Sequence, residues 1–257
     1  MLKKLYCLII ICQFLIPSCI KAQDISLYTQ INGRYDFTFI GNTMGPDENE
    51  FQYPTFLYTE SSATLNLASN DRIERAYLYW AGSGVGDTNV KLNGIDMSPD
   101  ILSTVVGTSS NLTYFSAFKD ITAQVQSFGN GTYTLSDFDI NSLVDEYAEN
   151  ATQFAGWAIL VVYENPNLTL NQINIYQGLE ALSPNPYVIP PVIDTMTIQL
   201  NNLYLISNTG AKIGFIAWEG DRMIQEAEIL SFSANGTTLR PPAAPKGTRT
   251  VRRRTRR

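Results

Sequence analysis

Asp137, Asp139 and Asn141 stand at alternate positions just after an alternating run, Thr132–Leu135. Oxygen ligands of that kind suit calcium, which accepts several carboxylates in a loop. The stretch lacks the glycine-containing EF-hand pattern, and a solvated strand edge is the plainer reading. Asp47, Glu48 and Glu50 crowd a second loop, from Gly45 to Glu50. Glu219 and Asp221 follow Trp218, which raises glycoside hydrolysis by two acids about 5–10 Å apart. Gly220 between them points to a bend, so that reading ranks last. Tyr77, Tyr79, Trp80 and Trp218 are candidates for a platform on which sugar rings stack, because aromatic faces suit amphipathic ligands. Trp157 lies in an apolar run and reads as core; Tyr77 and Tyr79 share a face opposite Leu78 and Trp80.

Composition removes much other chemistry. The chain has no histidine, and its three cysteines, Cys7, Cys12 and Cys19, all fall within the first 22 residues. Ser-His-Asp and Cys-His catalysis and the common histidine-bearing zinc sites are therefore excluded. Without the first 22 residues the chain also has no disulfide framework and no thiolate zinc site.

Those 22 residues read as a secretory signal peptide. Lys3 and Lys4 precede an apolar run from Leu5 to Ile16 that only Gln13 interrupts. A basic head, a short apolar centre and a small residue before a polar start form that pattern, and the run is shorter than the roughly 20 residues that span a bilayer. Cleavage between Ala22 and Gln23 is expected; lipoprotein cleavage at Cys19, in Ile16-Pro17-Ser18-Cys19, is the alternative. The mature chain carries no transmembrane segment on this reading.

Charge divides the rest. Residues 23–239 hold 24 acidic and seven basic side chains, a net of −17, whereas residues 240–257 hold eight basic side chains and no acid. An acidic body repels nucleic acid and anionic lipid. The basic end reads as a disordered solvated tail or the product of a frameshift; a basic arm for anionic polymers such as lipopolysaccharide is the sharper alternative.

The body is expected to be all-β, a β-sandwich in which a jelly roll fits, with one or two short helices at most. Alternation marks strands at Arg34–Ile40, Ala63–Leu67 and Thr132–Leu135. Ile73–Trp80 is rich in β-formers. Val90 and Leu92, then Asn93-Gly94, then Ile95 and Met97 predict a tight hairpin. Trp157–Tyr163 is apolar throughout, as in a strand covered on both faces, and Glu164-Asn165-Pro166 ends it. Further strands are expected at Gln172–Tyr176, Thr195–Leu200, Lys212–Trp218 and Glu228–Phe232, with a helix over Ile121–Gln126 capped by Asp120.

Five segments resemble one group of proteins: Ile25–Met44, Ala76-Tyr-Leu-Tyr-Trp-Ala-Gly-Ser-Gly84, Gly129-Asn-Gly-Thr-Tyr-Thr134, Gly156-Trp-Ala-Ile-Leu-Val-Val-Tyr-Glu-Asn-Pro166 and Gly210-Ala-Lys-Ile-Gly-Phe-Ile-Ala-Trp-Glu-Gly-Asp221. They are similar to the N-terminal region of Bacteroidota secreted proteins that end in a gliding-motility-associated domain, read by the type IX secretion system. The resemblance spans about residues 25–239 and implies an exported, adhesin-like protein with no catalytic residues to carry over. Such proteins continue to a sorting domain that this chain lacks, which makes the periplasm the expected place if it is truly absent. The leading expectation is a non-enzymatic extracellular or cell-surface module, with surface glycans or other surface proteins as partners and no nucleic acid. No cofactor is expected beyond the calcium candidate. A carbohydrate-binding module is the alternative, and a carboxylate-dependent glycoside hydrolase comes third.

Overall fold

A computed structural model describes residues 25–46, 56–107, 110–150, 152–181, 197–200, 203, 210–218, 232–234, 237–239 and 249–252. Numbered along the chain, the strands are β1 (Ser26–Gly33), β2 (Tyr35–Thr43), β3 (Ser61–Leu65), β4 (Arg72–Ser83), β5 (Val90–Leu92), β6 (Ile95–Met97), β7 (Ile101–Val106), β8 (Thr113–Asp120), β9 (Gly131–Ser136), β10 (Ala155–Glu164), β11 (Asn171–Gln177), β12 (Lys212–Phe215), β13 (Phe232–Ala234), β14 (Thr237–Leu239) and β15 (Arg249–Arg252). Two short helices, α1 (Thr122–Phe128) and α2 (Val144–Ala148), complete the described elements, with a 3₁₀ turn at Asn141–Leu143.

The most thoroughly buried strand is β10, covered along its first eight residues. Side chains alternate across a strand, so this apolar run faces two cores at once. Trp157, Ile159 and Val161 enter one cluster, whereas Leu160 and Val162 enter another. Around β10 lies a five-stranded antiparallel sheet, β2-β10-β4-β8-β7. The first core lies between this sheet and a four-stranded one, β3-β9-β5-β6, which contributes Leu65, Val90, Leu92, Met97, Tyr133 and Leu135.

The pairing is nested. β2 pairs with β10, β3 with β9, β4 with β8 and β5 with β6, all antiparallel. One long ribbon folded at the β5–β6 turn thus rolls up until β10 meets β4 and β9 meets β5. That is a jelly roll, with β7 added at the β8 edge. The ribbon turns at β5–β6 through Asn93 and Gly94, both at positive φ (50° and 77°). A type I′ turn requires this of its two central residues, which is why Asn-Gly stands there.

At its open end the ribbon continues into β1 and β11, which pair with each other and fold back over the outer face of the five-stranded sheet. The corner is stapled: the Asn165 N–H donates to the Arg34 carbonyl at 2.9 Å, and the Asn171 side-chain amide donates to the Tyr35 carbonyl. Ile31, Ile173 and Ile175 pack there against Tyr77, Phe118, Leu160 and Val162, forming the second core. β12 lies farther along the same face. Gly214 meets the rings of Phe37 and Phe39, and the Lys212 ammonium pairs with Asp36 and sits 4.2 Å from the centre of the Phe37 ring.

Several expectations change. Residues 197–200 have no regular structure, where a strand over Thr195–Leu200 was expected, and Lys212–Trp218 ends as a strand at Phe215. The helix starts at Thr122 with Ile121 as its N-cap rather than Asp120. The Asp120 carboxylate nevertheless accepts the Thr122 N–H at 2.9 Å, one position earlier than a cap would. Arg249–Arg252, inside the segment expected to be a disordered tail, pairs with β12. The signal segment, with Cys19, Ala22 and Gln23, lies outside the described residues. Among the described residues no helix is long and apolar enough to cross a membrane.

Two substitutions test this arrangement. Ile159→Ala should cost about 2–5 kcal/mol in denaturant unfolding, as removal of a buried aliphatic side chain does. Gly41 pairs with Ala158, and a Cβ there would stand 2.2 Å from the Trp157 carbonyl oxygen. Alanine suits a strand interior better than glycine by about 0.5–1 kcal/mol, yet Gly41→Ala should destabilise, because its Cβ meets backbone. A neutral or stabilising Gly41→Ala would mean that β2 is not seated on β10 as described.

Candidate functional site

Asp137, Asp139 and Asn141 do lie together, after β9, but their polar atoms hold the chain rather than face a common point. The Asp137 carboxylate pairs with the Lys91 ammonium at 2.6 Å. Asp139 Oδ1 accepts both the backbone N–H of Asn141 (2.9 Å) and its side-chain amide (2.8 Å). These two donations hold the Asp139 carboxyl below its ordinary range. The Asn141 side chain also binds Leu57 on both sides, accepting its N–H at 2.8 Å and donating to its carbonyl at 3.1 Å. Asp87 joins from the next loop, accepting the Asp139 N–H at 2.9 Å. Among the described residues no three Asp, Glu, His or Cys side chains form a group that could hold a metal. Asp47, Glu48, Glu50, Glu219 and Asp221 lie outside the described residues.

The aromatic candidates separate onto the two faces of one sheet. Trp80 is fully buried in the first core, and its indole N–H donates to the Asp87 carbonyl at 2.8 Å. Tyr77, only 3% exposed, belongs to the second core, with Tyr79 packed against it. Tyr28 covers Tyr77 and Phe118 edge-on, with ring centres 5.8 and 5.2 Å away. Burial, with Asp120 adding to it, pushes the Tyr77 hydroxyl up to about 12, and burial raises Tyr79 as well. Trp218 is half-buried and lies against Gly156, two residues along β10 from Ala158, the partner of Tyr79. The four therefore form no common platform: Trp80 faces away from the two tyrosines, and Tyr77 is covered by Tyr28. Trp157 is core as expected, with its indole N–H on Ser61 Oγ at 2.8 Å.

An open depression of about 590 Å³ lies among Leu67, Asp71, Arg72, Ile73, Gln126 and Asn130. Its polar side chains already have partners. Asn130 binds both the N–H and the carbonyl of Leu67, Gln126 donates to the Ile73 carbonyl, and Arg72 pairs with Glu164. Asp71 accepts from the Ala68 N–H and the Asn165 amide.

One exposed aromatic pair went unread in the sequence. Phe56 and Tyr58 are 46% and 51% exposed, with ring centres 5.4 Å apart and planes at 84°. The buried Leu57 between them makes Phe56-Leu-Tyr58 an alternating segment with the rings outward. That alternation was visible, but it is too short to stand out beside Pro54 and the acidic loop before it.

The Asn141–Asp139 contact sets a pH-dependent test. Because the folded Asp139 carboxyl is held low, its contribution is present above the unfolded value of about 3.9 and is lost as pH falls through the folded value. Asn141→Ala removes the side-chain share of that contribution together with the Leu57 clamp, and leaves the larger share, from the backbone N–H of residue 141, in place. Its destabilisation should therefore be modestly larger at neutral pH than well below pH 3, measured by denaturant unfolding; equal losses at both would mean that the side-chain amide does not hold the Asp139 carboxylate. No known protein family, no curated protein and no solved structure matches this chain.

Proposed function

We propose that this chain is an exported, non-enzymatic binding module of adhesin type, acting at the cell surface or outside the cell. The observation that carries the reading is the use made of its acids. Asp71, Asp87, Asp100 and Asp137 each hold a neighbouring loop or strand through backbone N–H groups, amides or ammonium groups, and Asp139 holds Asn141 within its own loop. Acid–base catalysis needs a group whose proton affinity is matched to the working pH. The tyrosines of the second core are instead pushed away from neutrality, and Asp139 is held low. A jelly roll stiffened in this way suits presentation of a surface. The basic head and apolar run of Lys3–Ile16 support export, and the resemblance of residues 25–239 to the leading part of gliding-motility-associated secreted proteins supports a place at the bacterial surface.

Two measurements test this. The full chain should be recovered outside the cytoplasm with Gln23 as its first residue, and removal of residues 1–22 should retain it inside. Beads coated with the mature protein should attach to cells or to the polymer they secrete. Cytoplasmic protein that keeps Met1, or beads that attach no better than uncoated ones, would overturn the proposal.

A further inference from the structure

The Phe56–Tyr58 pair is built to stay exposed. Leu57 fills the inward position, and Asn141 clamps both its N–H and its carbonyl. Just after it, the Tyr58 N–H donates to the carbonyl of fully buried Met44 at 2.8 Å, and the Thr59 carbonyl accepts the Phe138 N–H at 3.2 Å. Three consecutive residues are thus tied to two separate parts of the sandwich, the end of β2 and the loop after β9. To turn the rings inward, the segment would have to release Leu57 from the core.

Two such rings at right angles form a corner in which one offers its face and the other its edge. Binding there needs little further ordering of backbone, and pre-organised sites lose least on association. The Asp139 carboxylate hangs from the same Asn141 amide that clamps Leu57, one side chain away from the backbone between the rings. Held ionised by Asn141, it offers a strong acceptor for hydroxyl groups. A ligand that presents an apolar face and a rim of hydroxyl donors fits this pairing. The net charge of −17 over residues 23–239 favours a neutral ligand over an anionic one.

We infer that the Phe56–Tyr58 corner binds a pyranose ring of an uncharged glycan, whose C–H face stacks on the aromatic rings while its hydroxyls meet Asp139. The inference rests on the reading of the chain as a binding module and gives that module its ligand class. It also moves the stacking site from Tyr77 and Tyr79, which are core, to the exposed pair shortly before β3.

Affinity electrophoresis of the mature protein in gels containing dextran, laminarin, galactomannan or alginate tests it. At least one of the three neutral polysaccharides should retard the protein, and the anionic alginate should not. Phe56→Ala and Tyr58→Ala should each weaken the retardation about tenfold, as loss of one stacked ring does, and the double variant should abolish it while its unfolding midpoint stays near that of the wild type. Retardation by none of the neutral glycans, strongest retardation by alginate, or an unchanged double variant would overturn the assignment. So would a dimer that the double variant loses, because the rings would then serve self-association. If coated beads attach while neutral glycans fail to retard the protein, this site falls and the binding-module reading stands; if the beads fail as well, both fall.

Discussion

The constraint on which the structure depends is a strand with no polar face. From Ala155 to Val162, β10 offers water nothing on either side, and burying a large aliphatic side chain contributes about 1.5–3 kcal/mol. Leaving either face open would forfeit several such contributions. One face is covered because the ribbon that contains β10 rolls up and brings β3, β9, β5 and β6 over it. The other is covered because the two ends of that ribbon run on as β1 and β11 and fold back. Both covers come from one antiparallel ribbon, so a single pairing pattern satisfies both demands.

The double demand also decides what the aromatic residues do. On β4, Trp80 and Leu78 serve one core while Tyr77 and Tyr79 serve the other, so the segment that resembles a ring-rich binding surface is interior on both sides. Interior rings with polar atoms require partners, and four of them find one: Trp80 on Asp87, Trp157 on Ser61, Tyr133 on Gly129 and Tyr147 on Thr113. Rings available to a ligand must sit where a neighbour keeps them out of the core. Phe56 and Tyr58 meet that condition because Leu57 takes the inward place.

Period and turn chemistry made much of this legible in the sequence. The continuous apolar run announced a strand covered twice, and Asn93-Gly94 announced the turn about which the ribbon folds. The strands that stayed hidden have mixed patterns. In β8, Phe115 and Ala117 face the first core and Phe118 the second, with Ser116 between, so neither alternation nor a continuous run emerges. In β7, Ser103 is buried while Leu102 and Val106 are exposed, which inverts the usual hydrophobic rule at a sheet edge. Thr195–Leu200 shows the opposite failure, for its β-formers carry no strand over residues 197–200. A short apolar run specifies a strand only when a neighbour offers it a ladder.

The acid-rich loop was the hardest part to read, because the spacing that suits a cation also suits a turn. An Asp or Asn side chain readily binds a backbone N–H two residues on, and here Asp87 binds Asn89, Asp139 binds Asn141 and Asn165 binds Asn167. The side-chain amides go further. Asn141 on Leu57 and Asn130 on Leu67 each supply a donor and an acceptor to a single residue, as a neighbouring strand would. These two clamps lie just beyond the ends of β3, where its ladder with β9 stops. They extend the edge of the sandwich with side chains in place of backbone, and one of them fixes the only segment, among those described, where two exposed aromatic rings meet. The same acid and amide that look like half of a metal site are therefore what keeps the outward-facing pair in place.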